Sequence, residues 1–216
     1  MLPVLDTNEV RVLGCLIEKS IVTPDVYPLT LNALTNACNQ KSARDPVMTL
    51  QPGEVQHTIR VLEAKHLVRT EENFKSRAEK YSQRFCNTRY SDLSFEPAEL
   101  AVVCLLMLRG PQTPGELRSR SGRLHEFADN AEVVETLKRL IDRKGGPLVV
   151  ELPRTPGRKD SEYTHLFAGE VDLDAYASEA KSAQASGSSA RVSVADLAER
   201  VSQLEAEVAA LKARLP

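Results

Sequence analysis

Two residue pairs in the chain carry the spacing of a metal-ligand set. Glu54-x-x-His57 and Glu162-x-x-His165 match the Glu-x-x-His element of di-iron carboxylate sites, which requires both residues on one helix face opposite a second such helix. The second pair falls in a segment expected as a strand, which sends its two members to opposite faces, so no metal is expected. His66 and His125 stand apart from both. No P-loop, GxGxxG, GxSxG or HExxH pattern occurs, and neither catalytic residue nor cofactor is expected.

The remaining chemistry is that of amides and cations. Gln56, His57 and Arg60 share a helical segment, and Gln and Arg suit the edges of adenine and guanine. Lys41 and Arg44 lie in a polar stretch, Lys75 and Arg77 in one loop, and Arg154, Arg158 and Lys159 in another; all are candidate phosphate contacts. Together these nine (Lys41, Arg44, Gln56, Arg60, Lys75, Arg77, Arg154, Arg158, Lys159), with His57, form the candidate nucleic-acid surface for double-stranded DNA. The charge balance opposes it: 28 Lys and Arg meet 30 Asp and Glu, for a formal net charge of -2, and a nucleic-acid binder is usually more basic. Glu54, Glu132 and Glu135 sit in first helical turns, where they favour the helix dipole and repel phosphate. Arg118, Arg120, Arg123, Lys138, Arg139 and Arg143 are interleaved with Glu116, Glu126 and Asp142, as on a solvated mixed-charge face. Two readings stay open: a non-enzymatic DNA binder of regulatory or architectural role, and an interaction module whose grooves hold a segment of a protein partner.

The elements that must position these residues are written twice. Glu9, Val12, Leu16, Thr23 and Pro24 recur 90 positions later as Glu99, Val102, Leu106, Thr113 and Pro114. Glu54, Val55, Thr58 and Leu62 recur at an offset of 78 as Glu132, Val133, Thr136 and Leu140, and Lys80-Tyr81 to Phe85 matches Glu162-Tyr163 to Phe167 at 82. Unchanged order with an offset that falls from 90 to 78 and then stands at 82 means a duplicated module with an early insertion in the first copy. Apolar periodicity and capping residues predict helices over 8–19, 29–39, 52–66, 98–108, a short one ending near Gly122, and 130–144, with strands over 67–70, 81–85, 148–152 and 163–167. Three helices and a two-stranded ribbon in each copy are the winged form of the helix-turn-helix. The expected class is mainly α with small β-ribbons: winged-helix domains over 1–95 and 96–170, a flexible linker over 171–192 rich in Ala, Ser and Gly, and a terminal helix over 193–216.

In that last segment Val194, Leu197, Val201, Leu204, Val208 and Leu211 alternate spacings of three and four, with valine at a and leucine at d. In a parallel dimer Arg200 would face Glu205 of a second copy, and Glu207 would face Lys212. A coiled-coil homodimer is expected, the alternative being a helix folded back on its own domains. The scattered cysteines Cys15, Cys38, Cys86 and Cys104 suit reduced thiols, and no apolar run of membrane-spanning length or signal-peptide pattern is visible, so a cytoplasmic location is expected.

The stretches Cys15-Leu-Ile-Glu-Lys19, Thr23-Pro24, Tyr27-Pro-Leu29, Ala37-Cys-Asn-Gln-Lys-Ser42 and Arg44-Asp-Pro-Val-Met48 resemble the YceH-like family of bacterial proteins. Arg84-Phe-Cys-Asn87, residues 108–120 and His165-Leu-Phe167 extend the likeness over about residues 5–170. The resemblance implies a tandem winged-helix fold of uncharacterised function and supplies no catalytic residues. It draws attention to residues 36–48, which read equally as a contact surface or as a loop stapled by its own polar side chains, with Val47 and Met48 returned to the core.

Overall fold

In the computed structural model the residues described are 3–71, 79–89, 91–154 and 159–177. The first repeat runs α1 (Thr7–Val22), a 3-10 turn at Pro24–Val26, β1 (Leu29–Thr30), α2 (Leu31–Cys38), α3 (Pro52–Ala64), β2 (Val68–Glu71) and β3 (Lys80–Gln83). The second runs α4 (Pro97–Arg109), α5 (Pro114–Arg120), α6 (Asn130–Ile141), β4 (Val149–Glu151) and β5 (Tyr163–His165). The fold is thus helices with small antiparallel sheets. The second helix begins two residues later than its pattern predicts, because Leu29 is drawn into the sheet opposite Tyr81.

The repetition is physical. Glu9 accepts the amide of Asp6 at 2.7 Å and its mate Glu99 accepts that of Glu96 at 3.1 Å, each satisfying a donor that a helix start leaves open. Thr58 and Thr136, both buried, donate their hydroxyls to the carbonyls of Glu54 and Glu132. In the first repeat β1, β3 and β2 form one sheet, in that order. In the second, Gln112 exchanges both backbone hydrogen bonds with Tyr163, the mate of Tyr81, so it occupies the place that Leu29 holds opposite Tyr81.

The two repeats, expected over 1–95 and 96–170, share one compact unit that extends to Asp172; of a second unit, from Leu173, only a short helical run over 173–177 is described. What joins the repeats is a set of contacts between mates. The Cys104 thiol lies 3.6 Å from the carbonyl of Gly14, its counterpart 90 positions earlier. Phe85 and Phe167, mates at an offset of 82, meet edge to face with ring centroids 5.0 Å apart. Contact of each element with its own equivalent is what a local two-fold axis produces. The axis runs through the α1–α4 contact, so both helices are covered on nearly every side: 9–17 of α1 and 101–108 of α4 are buried. That explains why α4 is apolar almost all round. No helix among the described residues is long and apolar enough to cross a membrane.

Gly14 sets the helix separation. A Cβ there would stand 2.9 Å from Leu108 Cδ2 and 3.3 Å from Met107 Cβ. Overpacking costs about 1–3 kcal/mol or more, above the ~1 kcal/mol that leaving glycine returns in helix propensity. Gly14→Leu is therefore expected to lower the urea midpoint of unfolding; an unchanged or raised midpoint would show that α1 and α4 do not meet at this position.

Candidate nucleic-acid interface

The outward face of α3 brings together Gln56, His57 and Arg60. The helix starts at Pro52, where the missing N–H costs nothing, and Glu54 takes the amide of Gln51 at 2.7 Å. Val55, Thr58, Ile59 and Leu62 face the core, which leaves Gln56 half-buried and His57 and Arg60 exposed. None of these three makes a hydrogen bond or ion pair with another described residue. The corresponding face of α6 carries Val134, Glu135 and Lys138 at the offset of 78. There Arg139 lies 3.7 Å from Glu99 and 3.8 Å from Glu135, so much of its charge is answered internally.

The first-turn glutamates act on the backbone. Glu54 caps α3, and Glu132 accepts the amide of Ala128 at 2.8 Å, which is the leading cause holding its carboxyl below the ordinary value.

Arg44, expected as a phosphate contact, is directed inward. Its side chain has no exposed surface: Nη1 and Nη2 meet Glu18 at 3.2 and 2.6 Å, Nε donates to the carbonyl of Ala37, and Nη1 also donates to that of Ala43. Arg11 works from α1 in the same manner, donating to the carbonyls of Cys38 at 3.0 Å and Pro46 at 2.6 Å. Asn39 holds the far end through two bonds to the backbone of Leu50. The inserted polar stretch is therefore stapled, chiefly by two buried arginines. Lys41 points to solvent, and Val47, which the stapled-loop reading returned to the core, is 53% exposed.

Arg154 and Lys159 are exposed on either side of the segment joining β4 to β5. Arg158, Lys75 and Arg77 lie outside the described residues, as do Val194, Leu197, Val201, Leu204, Val208 and Leu211. His165 is largely buried, with its ring near Phe167, and burial pushes its pKa down to about 4. No cluster of three or more His, Cys, Asp or Glu side chains suited to a metal ion is present among the described residues. Arg11 and Arg44 are the residues that sequence reasoning misplaced or missed; for Arg11 the available signal was its position between Val10 and Val12 in an apolar helix.

Comparison with known proteins places this geometry in a family without supplying a role. A family model described as a protein of unknown function, DUF480, matches residues 5–158. A UPF0502 protein of Vibrio atlanticus is 49% identical over 210 residues, covering 97% of this chain and 96% of the relative. One from Vibrio vulnificus is 52% identical over 207 residues, covering 96% and 91%. The UPF0502 protein YceH of Salmonella paratyphi B is 50% identical over 212 residues, covering 98% and 94%.

The Arg44–Glu18 pair has measurable consequences. Burial pushes the Glu18 carboxyl up, but the hydrogen bonds and charge of Arg44 outweigh it and hold the group below the ordinary carboxylate range. The folded state therefore binds fewer protons than the unfolded state there, and this contribution, complete above that range, is lost as pH falls through it. Arg44→Ala is expected to cost about 3–5 kcal/mol, the usual effect of stranding one member of a buried pair. Lys41→Ala should stay within about 0.5 kcal/mol, as exposed substitutions do. Chemical denaturation of both variants checks this, and equal effects would contradict the staple.

Proposed function

We propose that this chain, which belongs to the DUF480 family of proteins of unknown function, binds double-stranded DNA without catalysing a reaction on it, in a regulatory or architectural role. The observation that carries the reading is the outward face of α3, where Gln56, His57 and Arg60 have no hydrogen-bond or ion-pair partner among the described residues while Val55, Ile59 and Leu62 are turned to the core. The order of elements in each repeat supports it, since three helices followed by an antiparallel hairpin are the arrangement of a winged helix, whose third helix can enter the major groove. On this reading α3 reads base edges and Lys75, Arg77, Arg154, Arg158 and Lys159 meet phosphates. The second repeat, with Glu135 and Arg139 paired on α6, acts mainly to position the first. The heptads from Val194 to Leu211 would pair two copies, so that two α3 helices address the duplex.

The formal net charge of -2 and the exposure of Val26 and Val47 favour a second reading, in which a protein segment is the partner. Fluorescence anisotropy with a random duplex of about 30 base pairs, titrated from low to physiological salt, separates the two. DNA binding predicts micromolar affinity that falls steeply with salt. Lys75→Ala should reduce the slope of log K against log salt by about 1, and Arg60→Ala should weaken a preferred site by about 1–3 kcal/mol. Absence of binding at low salt would leave the protein-interaction reading.

A further inference from the structure

A cavity of about 430 Å³ opens where the two repeats meet. Matching segments supply its rim: Lys65 and His66 at the end of α3 and, 78 positions on, Arg143 and Lys144 at the end of α6. Arg84 joins them, and Asp92 is the one acid, so four permanent cations and a histidine surround a single carboxylate. Among the described residues the charges of Arg143 and Lys144 are met by no carboxylate. Lys65 is paired with Glu9 at 2.6 Å. Arg143 donates to the carbonyl of Ser94 at 2.8 Å and stands over the Phe95 ring at 5.1 Å, which fixes the guanidinium without neutralising it. Lys144 is exposed.

Polar and apolar surface share the cavity wall about equally, with Phe85, Leu93 and Leu148 among its apolar residues. Its volume lies within the range of small-molecule sites, roughly 300–1,000 Å³, and convergent charged groups beside apolar surface can fix and hold a ligand there. Gly145 and Gly146, with φ of 103° and 114°, complete the rim where a side chain would be strained. Gln56, His57 and Arg60 do not line this cavity, so it is separate from the α3 face described above.

We propose that this cavity binds a small organic anion, with one phosphate, sulfonate or carboxylate group held by Lys144 and Arg143 and an apolar or aromatic body against the apolar part of the wall. Such a ligand touches both repeats at once. The proposal does not depend on DNA binding.

Anilinonaphthalene sulfonate is the probe, with uncharged phenylnaphthylamine as its counterpart, both added to the native full-length protein. Wild type should show saturable fluorescence enhancement by the sulfonate at one site per chain. Lys144→Glu should raise its Kd about tenfold by reversing a charge at the rim, while leaving the neutral probe unaffected. Lys138→Glu, an equal charge change on α6 outside the cavity, should alter neither, and an unchanged Tm for Lys144→Glu keeps misfolding out of the comparison. Lack of saturable sulfonate binding, or a Kd indifferent to Lys144→Glu, would overturn the proposal. Displacement of the dye by random duplex DNA would overturn it as well, assigning the basic rim to a nucleic-acid surface.

Discussion

The close packing of α1 against α4 is the constraint from which the rest of the structure follows. Each is the first helix of its repeat, and they meet at equivalent residues, Gly14 against Cys104. Helices that serve as each other's partner must be apolar on almost their whole circumference, and they can approach closely only where a side chain is missing. The same local axis brings Phe85 onto Phe167. The duplicated module is thus organised as a two-fold pair within one chain, with a continuous core in place of two separate ones.

A shared core leaves the outward faces free to differ, and they do. The first repeat keeps Gln56, His57 and Arg60 on α3, whereas on α6 the surface also carries the Glu99–Arg139–Glu135 ion pairs. The first repeat also carries the insertion between α2 and α3, which Arg11 and Arg44 hold from within. Their guanidiniums occupy backbone carbonyls near the end of α2, where an interior cation meets the negative end of the helix dipole and otherwise unsatisfied acceptors. The amide of Asp45 in this insertion donates to the carbonyl of Leu108 at 3.0 Å, so the stapled loop is tied to α4 as well. Burying these arginines is tolerable because every guanidinium nitrogen but the Nε of Arg11 has an acceptor.

Much of this was legible in the residues. The offsets of 90, 78 and 82 located the helices and hairpins, since apolar periodicity and capping pairs such as Thr113 with Glu116 are local properties. What the residues could not convey was long-range. Repeat register says that Gly14 and Cys104 are equivalent, but nothing local says that they touch. Arg44 reads as a surface cation because its partner Glu18 lies 26 positions away on another helix. Leu29 reads as helical because its strand partner Tyr81 is more than 50 positions on. That His57 and Arg60 lie on the outer side of α3 follows from helical spacing alone.

Native-state hydrogen exchange on the full-length protein addresses the joint core most directly, because it reports the opening free energy of each helix separately. If the two repeats are one cooperative unit, the slowest amides of α1 and α4 exchange with the same free energy and the same dependence on denaturant. Distinct values for α1 and α4, each matching only the helices of its own repeat, would mean that the repeats open independently and that the contact between mates does not bind them into one unit.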